Sequence, residues 1–242
     1  MNELCHLDGR VLPLADARIH PLDRGFLFGD SLYEVIKVRS GVIFELDSHL
    51  DRLARTLRRT GMGEPAELSA ACQELVAAAG LDTGFLYIQV TRGVAPRTHL
   101  PPPGMTPTVF IMPSLYDYPA PASRRMKSIS ERDFRWRRCD IKSTSLIATV
   151  LGKVEAESAG ADEILFVGGD GEVREGGQTN FFVRRGDVLE THPADHRILP
   201  GVTRQILLRL ADELGLGTEE RAPLLDERDE WREAFFCGTL TG

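Results

Sequence analysis

The chain has 242 residues, 42% of them hydrophobic and 27% charged, with a formal net charge of −7. This composition is typical of a globular protein with one large or two modest domains, and it excludes a disordered or collagen-like chain. The negative charge argues against nucleic acid or an anionic membrane surface as a partner. No apolar run is long enough to span a membrane and the N-terminal residues do not resemble a signal peptide, so we expect a cytoplasmic protein.

The first half of the chain alternates strand and helix patterns. Strands are predicted at 32–38, 42–46, 85–93 and 106–114. Between them lie two helices, one with Asp47 as its N-cap that ends at Gly61, and one from about Glu67 to Ala79 that stops at Gly80. A proline-rich loop, 96–107, separates the last two strands.

The second half begins after a change in composition. Residues 114–125 are rich in proline and alanine and predict a linker between a small N-terminal domain, 1–113, and a larger β-rich domain, 126–242. Strands are predicted at 128–134, 140–143, 164–168, 172–177, 180–185, 187–192 and 233–238, and helices at 146–160 and from 200–204 through 215. The sum is an α+β protein with two sub-domains.

Few side chains offer nucleophilic or metal chemistry. The four cysteines lie far apart with no metal-ligand spacing, so we predict free thiols and no metal site: Cys5, Cys72, Cys139 and Cys237. Of only four lysines, Lys153 is expected to pair with Glu157 on its helix. Lys142 lies between a strand and an apolar helix, where partial burial would lower its pKa and make it a nucleophile or a Schiff-base former. The alternative is a lysine that pairs with Asp140 at a strand edge, and spacing alone favours that alternative.

Other polar residues each allow a functional and an ordinary structural interpretation. Glu175 could enter a cleft or be a solvated turn residue, and Thr203 could bind phosphate at a helix start or only water. Arg52 could reach a phosphate or lie on the surface beside Asp51. The stiff loop that carries Arg97 and His99 suits a small carboxylate or is an exposed turn. Two further residues have the same ambiguity: Tyr33 as phenolic donor or core residue, and Thr239 in a phosphate cradle or at a strand end.

Seven segments, in this order, resemble the class IV, fold-type IV pyridoxal-phosphate enzymes, and most of all their D-amino-acid transaminase branch. They are DRGFLFGDSLYEVIKV (23–38), HLDRL (49–53), YIQVTRGVAPRTH (87–99), RCDIKSTSLIATVLGKVEA (138–156), EVREGGQTNFF (172–182), THPADHRILPGVTR (191–204) and FFCGTLTG (235–242). The resemblance implies transfer of an amino group from a D-amino acid such as D-alanine to a 2-keto acid such as 2-oxoglutarate. It also implies a homodimer.

The resemblance assigns a role to each candidate residue. Lys142 would form the Schiff base with pyridoxal 5′-phosphate and move the substrate proton, and Glu175 would keep the pyridine nitrogen protonated. Leu199 would pack against the ring. The phosphate ligands would be Arg52, the backbone of Val202, Thr203 and Thr239, and the substrate carboxylate ligands would be Tyr33, Arg97 and His99. In the family, the arginine and the histidine of this last set come from the neighbouring subunit.

Other activities share Lys142 and Glu175. A branched-chain L-amino-acid transaminase, an R-selective amine transaminase and an aminodeoxychorismate lyase remain alternatives, although Arg97 and His99 favour D-amino acids. A non-catalytic remnant of the scaffold is a more distant one. The family pattern continues past the GT.T segment with a strand and a helix, whereas this chain stops at Gly242, so a shortened C-terminal segment is expected and the Thr239 contact is the least secure.

Overall fold

The computed structural model describes residues 3–118 and 125–241. The chain divides into two compact units, unit 1 with Met1–Asp117 and Lys142–Ser145, and unit 2 with Tyr118–Ile141 and Leu146–Gly242. Of the predicted linker, residues 119–124 lie outside the described residues, and residues 114 and 115 finish a strand. No helix of the described part of the chain is long and apolar enough to cross a membrane.

Unit 1 is built on one antiparallel sheet of six strands. They are β1 (Leu4–Leu7), β2 (Arg10–Pro13), β3 (Ser31–Arg39), β4 (Val42–Ile43), β5 (Gly84–Thr91) and β6 (Thr108–Leu115). Their order is β2-β1-β6-β5-β3-β4. Its helices are α1 (Arg24–Phe28), α2 (Leu46–Thr60) and α3 (Leu68–Ala79). Every second residue of β3 is buried, as the strand period requires, and the charged Glu34 belongs to that buried row with Leu32 and Ile36.

Two predictions for the segment around the start of helix α2 are inexact, the N-cap of the helix and the length of the strand before it. The helix begins at Leu46, with Glu45 and not Asp47 as its N-cap. Glu45 has a positive φ of 54°, which turns the chain into the helix directly after the two-residue strand β4, and its carboxylate accepts a hydrogen bond from Ser48 Oγ (2.6 Å). Asp47 lies in the first turn, where its charge favours the positive end of the helix dipole. The predicted strand at 42–46 is therefore shorter than expected.

Unit 2 contains seven strands and two longer helices. The strands are β7 (Ser128–Arg132), β8 (Glu163–Val167), β9 (Val173–Gly176), β10 (Asn180–Arg185), β11 (Val188–Thr191), β12 (Gly217–Glu219) and β13 (Glu233–Cys237). Their order is β12-β11-β10-β9-β8-β7, and β13 pairs with β10. The helices are α4 (Ile147–Ser158) and α5 (Val202–Glu213). All five residues of β8 are buried, and Ala156 of α4 packs on Ile164 and Phe166.

The predicted ion pair on α4 is wrong. Lys153 Nζ lies 3.2 Å from Glu163 Oε1 and donates to the carbonyl of Asp162 (2.8 Å), so the lysine joins the helix to the start of β8. The predicted strand at 140–143 is also wrong, because only Ser143 forms a bridge, with Leu32. The other strands and helices predicted from the sequence are confirmed within a few residues at each end.

Candidate active site

Lys142 is held by the backbone of unit 1. The Tyr33 N–H donates to the Lys142 carbonyl (3.0 Å), and the Thr144 N–H donates to the Ser31 carbonyl (3.1 Å). These bonds add the short segment 142–145 to the beginning of β3. The Lys142 ammonium lies 4.1 Å from the centre of the Tyr33 ring, a cation–π distance. The structure therefore brings together two of the predicted site residues, and it does so through main-chain pairing that no side-chain pattern revealed.

Arg52 is buried, so its alternative interpretation as a surface residue is wrong. Its Nε and Nη2 donate to the two oxygens of Glu34 at 2.8 and 2.6 Å, and His49 Nδ1 lies 2.8 Å from the same carboxylate. Burial alone raises the pKa of Glu34, but the charges of Arg52 and Lys142 and the hydrogen bonds from Arg52 and His49 outweigh it and hold the pKa at about 2. Glu34 is therefore a buried anion that fixes the direction of the Arg52 fork.

Arg97 and His99 lie on an exposed stretch of the proline-rich loop. The Arg97 guanidinium lies 5.4 Å from the centre of the Phe28 ring, and the His99 ring centre lies 5.6 Å from it. The buried Arg24 donates to the carbonyls of Thr98 and His99. The structure thus places these two predicted residues side by side on one aromatic ring.

Glu175 is buried in unit 2 among hydrogen-bond donors. Its Oε2 accepts from the Leu199 N–H (3.0 Å) and from Asn180 Nδ2 (3.1 Å), and its Oε1 accepts from Arg135 (2.5 Å). Asn180 also donates to the Leu199 carbonyl (2.9 Å). Burial raises the pKa of Glu175, and the charge and hydrogen bond of Arg135 only partly offset that rise. The solvated-turn interpretation of Glu175 is therefore wrong.

Helix α5 presents the amide groups expected of an anion site. It starts at Val202, with Gly201 as an extended N-cap, and the first N–H groups of a helix have no intrahelical acceptor. Thr203 is half-buried in this first turn. A Cβ on Gly201 would clash with Asn180 Oδ1, so the helix start packs directly on the residue that holds Glu175. Thr239 lies half-buried in the turn that follows β13.

Comparison with known proteins identifies the family. The family model "Amino-transferase class IV" matches residues 31–242. The chain belongs to the class IV aminotransferases. It is 38% identical over 240 residues to D-alanine aminotransferase of Bacillus licheniformis (96% of this chain, 83% of the relative) and 33% identical over 229 residues to that of Staphylococcus aureus strain MSSA476 (93% and 81%). These matches confirm the predicted family and the prediction of a pyridoxal-phosphate-dependent aminotransferase.

A solved structure confirms the fold of this class IV aminotransferase. Branched-chain aminotransferase from Thermoproteus uzoniensis, crystallised with norvaline, superimposes with a TM-score of 0.88 at 26% identity, over 98% of this chain and 84% of that chain. The predicted fold-type IV architecture is therefore correct.

The residues of this aminotransferase fit pyridoxal phosphate. A fully buried carboxylate such as Glu175, whose pKa is raised by burial, gains from a cationic partner such as a protonated pyridine nitrogen. The N-terminus of α5 offers amide donors to a phosphate, and Gly201 leaves no side chain over that turn. Lys142 supplies the amine. Each unit therefore offers donors of the chemical kinds that this cofactor needs, an amine in unit 1 and a carboxylate and helix amides in unit 2.

Three residues that contact the predicted site residues, or the loop that carries them, were not predicted from the sequence. Glu34 and Arg135 are buried ionic partners of predicted site residues, and Arg24 binds the loop that carries Arg97 and His99. Only Glu34 left a recognisable signal, because it occupies an inward position of an alternating strand. Arg24 and Arg135 lie in short or irregular segments where no periodicity distinguishes a buried arginine from an exposed one.

Proposed function

We propose that the enzyme transfers the amino group of a D-amino acid, such as D-alanine, to a 2-keto acid, such as 2-oxoglutarate. The observation that carries this proposal is the 38% identity to a D-alanine aminotransferase over 96% of the chain. The pairing of Arg97 and His99 on Phe28 supports it, since a guanidinium and an imidazole held together suit a substrate carboxylate.

In this proposal the cofactor is held at its aldehyde, ring and phosphate. Lys142 binds the aldehyde carbon covalently, Glu175 pairs with the ring nitrogen, and Leu199 packs against the ring face. The phosphate ligands are Arg52, the Val202 N–H, Thr203 and Thr239. Bound pyridoxal phosphate supplies the electron sink that stabilises the substrate carbanion. Once the substrate amino group has taken its place on the cofactor, Lys142 Nζ would take the proton from the substrate Cα and pass it to the former aldehyde carbon, so that the amino group stays with the cofactor. Arg52 is aimed in advance by Glu34.

Tyr33, Arg97 and His99 set which face of the substrate meets Lys142. They bind the α-carboxylate, and with the amino group held at the cofactor a fixed carboxylate leaves only one enantiomer with its Cα–H directed at the lysine. Tyr33 lies against Lys142 in the same unit, which supports its place beside the reacting carbon. Stereochemical preference then follows from the carboxylate ligands and not from the cofactor.

We propose that the enzyme is a homodimer in which Arg97 and His99 serve the partner's site. Exposed apolar side chains support this. Helix α4 exposes four of them at helical spacing, Ile147 (71%), Val150 (51%), Leu151 (51%) and Val154 (53%). Around the Arg97 loop, Leu100 and Phe26 are 83% and 75% exposed. Exposed apolar side chains of this kind, in each of the two units taken separately, are typical of a protein interface. All four cysteines are buried thiols, which suits a reducing cytoplasm.

The test is the visible spectrum of the cofactor-loaded enzyme with single substrates. D-alanine is expected to shift the cofactor band, whereas L-alanine and L-leucine leave it unchanged. Borohydride reduction should attach the cofactor to the peptide that contains Lys142, and the Lys142→Ala variant should neither react nor be labelled. A shift with L-leucine would favour a branched-chain enzyme. A band inert to all three amino acids, with pyruvate released from aminodeoxychorismate, would favour the lyase.

A further inference from the structure

Arg24 is a buried arginine whose three guanidinium nitrogens each donate a hydrogen bond. It is 4% exposed. Its Nη1 donates to the carbonyl of Thr98 (2.6 Å), and its Nη2 donates to the carbonyl of His99 (3.0 Å). Its Nε donates to Asp30 Oδ2 (2.8 Å). One planar guanidinium therefore joins two consecutive carbonyls of the loop to a carboxylate near the start of β3.

The side chains of the loop rest on a ring from the same short helix. Phe28 lies one turn after Arg24 in α1, and the Arg24 guanidinium is 4.8 Å from the centre of its ring. Arg97 and His99 contact that ring at 5.4 and 5.6 Å. Helix α1 is itself fixed, since its N-cap Asp23 accepts hydrogen bonds from the Gly25 N–H and from Thr91 Oγ1. The Arg24–Phe28 pair therefore controls both the backbone and the side chains of the loop.

Asp30 makes this arrangement ionic. It accepts hydrogen bonds from both Arg24 and Arg92 at 2.8 Å. Burial raises the pKa of Asp30, but the hydrogen bonds and charges of Arg92 and Arg24 outweigh it and the net pKa is lowered. The carboxylate therefore stays charged at neutral pH and holds the Arg24 fork in one orientation.

We propose that Arg24 is a positioning residue for substrate recognition, which sets the place of Arg97 and His99 without touching the substrate. This inference rests on the proposed function, in which these two side chains bind the α-carboxylate. The four prolines after residue 96 stiffen the loop 96–107, but the loop has no strand partner, so backbone pairing with the sheet does not fix the position of Arg97. A lysine at position 24 would keep the charge, but its single nitrogen cannot reproduce a fork that spans two carbonyls and a carboxylate.

Arg92 is the matched control. It shares Asp30 with Arg24 but directs its other donors to the carbonyls of Gly61 (2.9 Å) and Thr60 (3.0 Å) at the end of α2. Replacement of either arginine removes one partly buried ion pair with the same carboxylate. Only the replacement of Arg24 releases the loop. A general loss of stability therefore affects both variants, and a loss of loop position affects only one.

The experiment compares Arg24→Ala, Arg24→Lys and Arg92→Ala with the wild-type holoenzyme. Amide hydrogen exchange of the peptide that covers 94–104 reports loop order, and steady-state kinetics with D-alanine reports substrate binding. Both Arg24 variants are expected to exchange this peptide faster and to raise KM for D-alanine about tenfold or more, because small misplacement of a binding group is strongly amplified. Arg92→Ala is expected to leave both the hydrogen exchange of this peptide and the KM for D-alanine unchanged. The cofactor content is expected to equal that of the wild type in every variant.

Each outcome decides a separate point. Unchanged hydrogen exchange in the Arg24 variants would show that Arg24 does not hold the loop in place. Faster hydrogen exchange with an unchanged KM would show that Arg24 orders the loop but has no role in substrate binding. A wild-type KM in Arg24→Lys would show that only the positive charge of Arg24 matters, which overturns the role of its fork of donors. If Arg24→Ala does not fold, Phe28→Leu, which removes the ring but keeps an apolar side chain, replaces it with the same expected result. A wild-type enzyme that does not turn over D-alanine refutes the proposed function first, and this inference with it.

Discussion

Glu34 shows how a buried charge is retained in an apolar sheet. The carboxylate is fully enclosed, yet its pKa lies at about 2 because Arg52, His49 and Lys142 surround it. Removal of one member of such a group leaves the others charged and without a partner, which is far more damaging than replacement of the whole group by apolar residues. The same arrangement holds the Arg52 guanidinium ready for an anionic ligand.

Glu34→Gln is expected to lower the free energy of unfolding by about 3 kcal/mol at pH 7, because it removes the carboxylate that faces the buried charge of Arg52. The pH dependence follows from the pKa of about 2 in the folded chain, against 4.5 for an ordinary glutamate. The Glu34 carboxylate stabilises the fold fully above pH 4.5, and this contribution is lost as the pH falls from 4.5 towards 2. Urea denaturation of both proteins between pH 7 and pH 3 should show the difference narrowing.

Glu64→Gln is the control for this experiment. Glu64 pairs with Arg58 at 2.9 Å, but the two side chains are 43% and 58% exposed. An exposed pair of this kind contributes less than about 1 kcal/mol. An equal loss of stability in the two variants would contradict the interpretation of Glu34 as a buried anion, as would a difference between wild type and Glu34→Gln that does not change with pH.

Sequence patterns indicated individual residues of the candidate site, but not the residues that contact them. Lys142 and Glu175 stand out in the sequence because lysine is scarce and because two glycines follow the glutamate. Their partners do not. Tyr33 meets Lys142 only because segment 142–145 pairs with β3, and Arg135 reaches Glu175 across 40 residues of sequence. Contacts of this range depend on the tertiary fold, which no local spacing encodes.

At the scale of elements, the start of α5 is the most constrained junction of unit 2. Gly201 has ordinary extended angles (φ −65°), so an alanine would meet no conformational penalty there. Its Cβ would nevertheless clash with Asn180 Oδ1, and Asn180 holds both Glu175 and the Leu199 carbonyl. Any substitution at 201 therefore displaces the helix start, the asparagine or both.

Gly201→Ala is expected to weaken cofactor binding about tenfold or more, since forced overpacking typically costs 1–3 kcal/mol. Equilibrium titration of the apoenzyme with pyridoxal phosphate, followed by absorbance, measures the change. Gly169→Ala is the matched control, because a Cβ at that position has open space and should leave the affinity unaltered. Wild-type affinity in Gly201→Ala would show that the phosphate is bound elsewhere.

Helices were easier to predict than the segments that join them. The positions where α2 and α3 end follow from Gly61 and Gly80, both left-handed C-caps. The start of α2 does not follow from the sequence, because Glu45 takes a left-handed conformation that glutamate rarely adopts. The stretch 140–143 reads as a strand from its residues, yet only one of its residues forms a bridge, because the chain meets β3 only at the first residues of that strand, 31–33.

At the scale of the whole molecule, the isolated chain exposes apolar side chains that contact with water does not favour. Helix α4 buries Gly152 and Ala156 but exposes Ile147, Val150 and Val154. A surface helix of a monomer would carry polar residues at those positions. In the homodimer proposed above, a second copy of the chain covers them.

Mixing two inactive variants tests this assembly directly. Lys142→Ala and Arg97→Ala homodimers, mixed under conditions that exchange subunits, are expected to regain about a quarter of wild-type activity with D-alanine, because half of the dimers are hybrid and each hybrid holds one complete site. Recovery requires that Lys142 and Arg97 of one site come from different protomers. If both came from one chain, no combination would restore activity.

Val150→Asp in both partners should abolish recovery and yield monomers by light scattering, because it places a charge in the apolar face of α4.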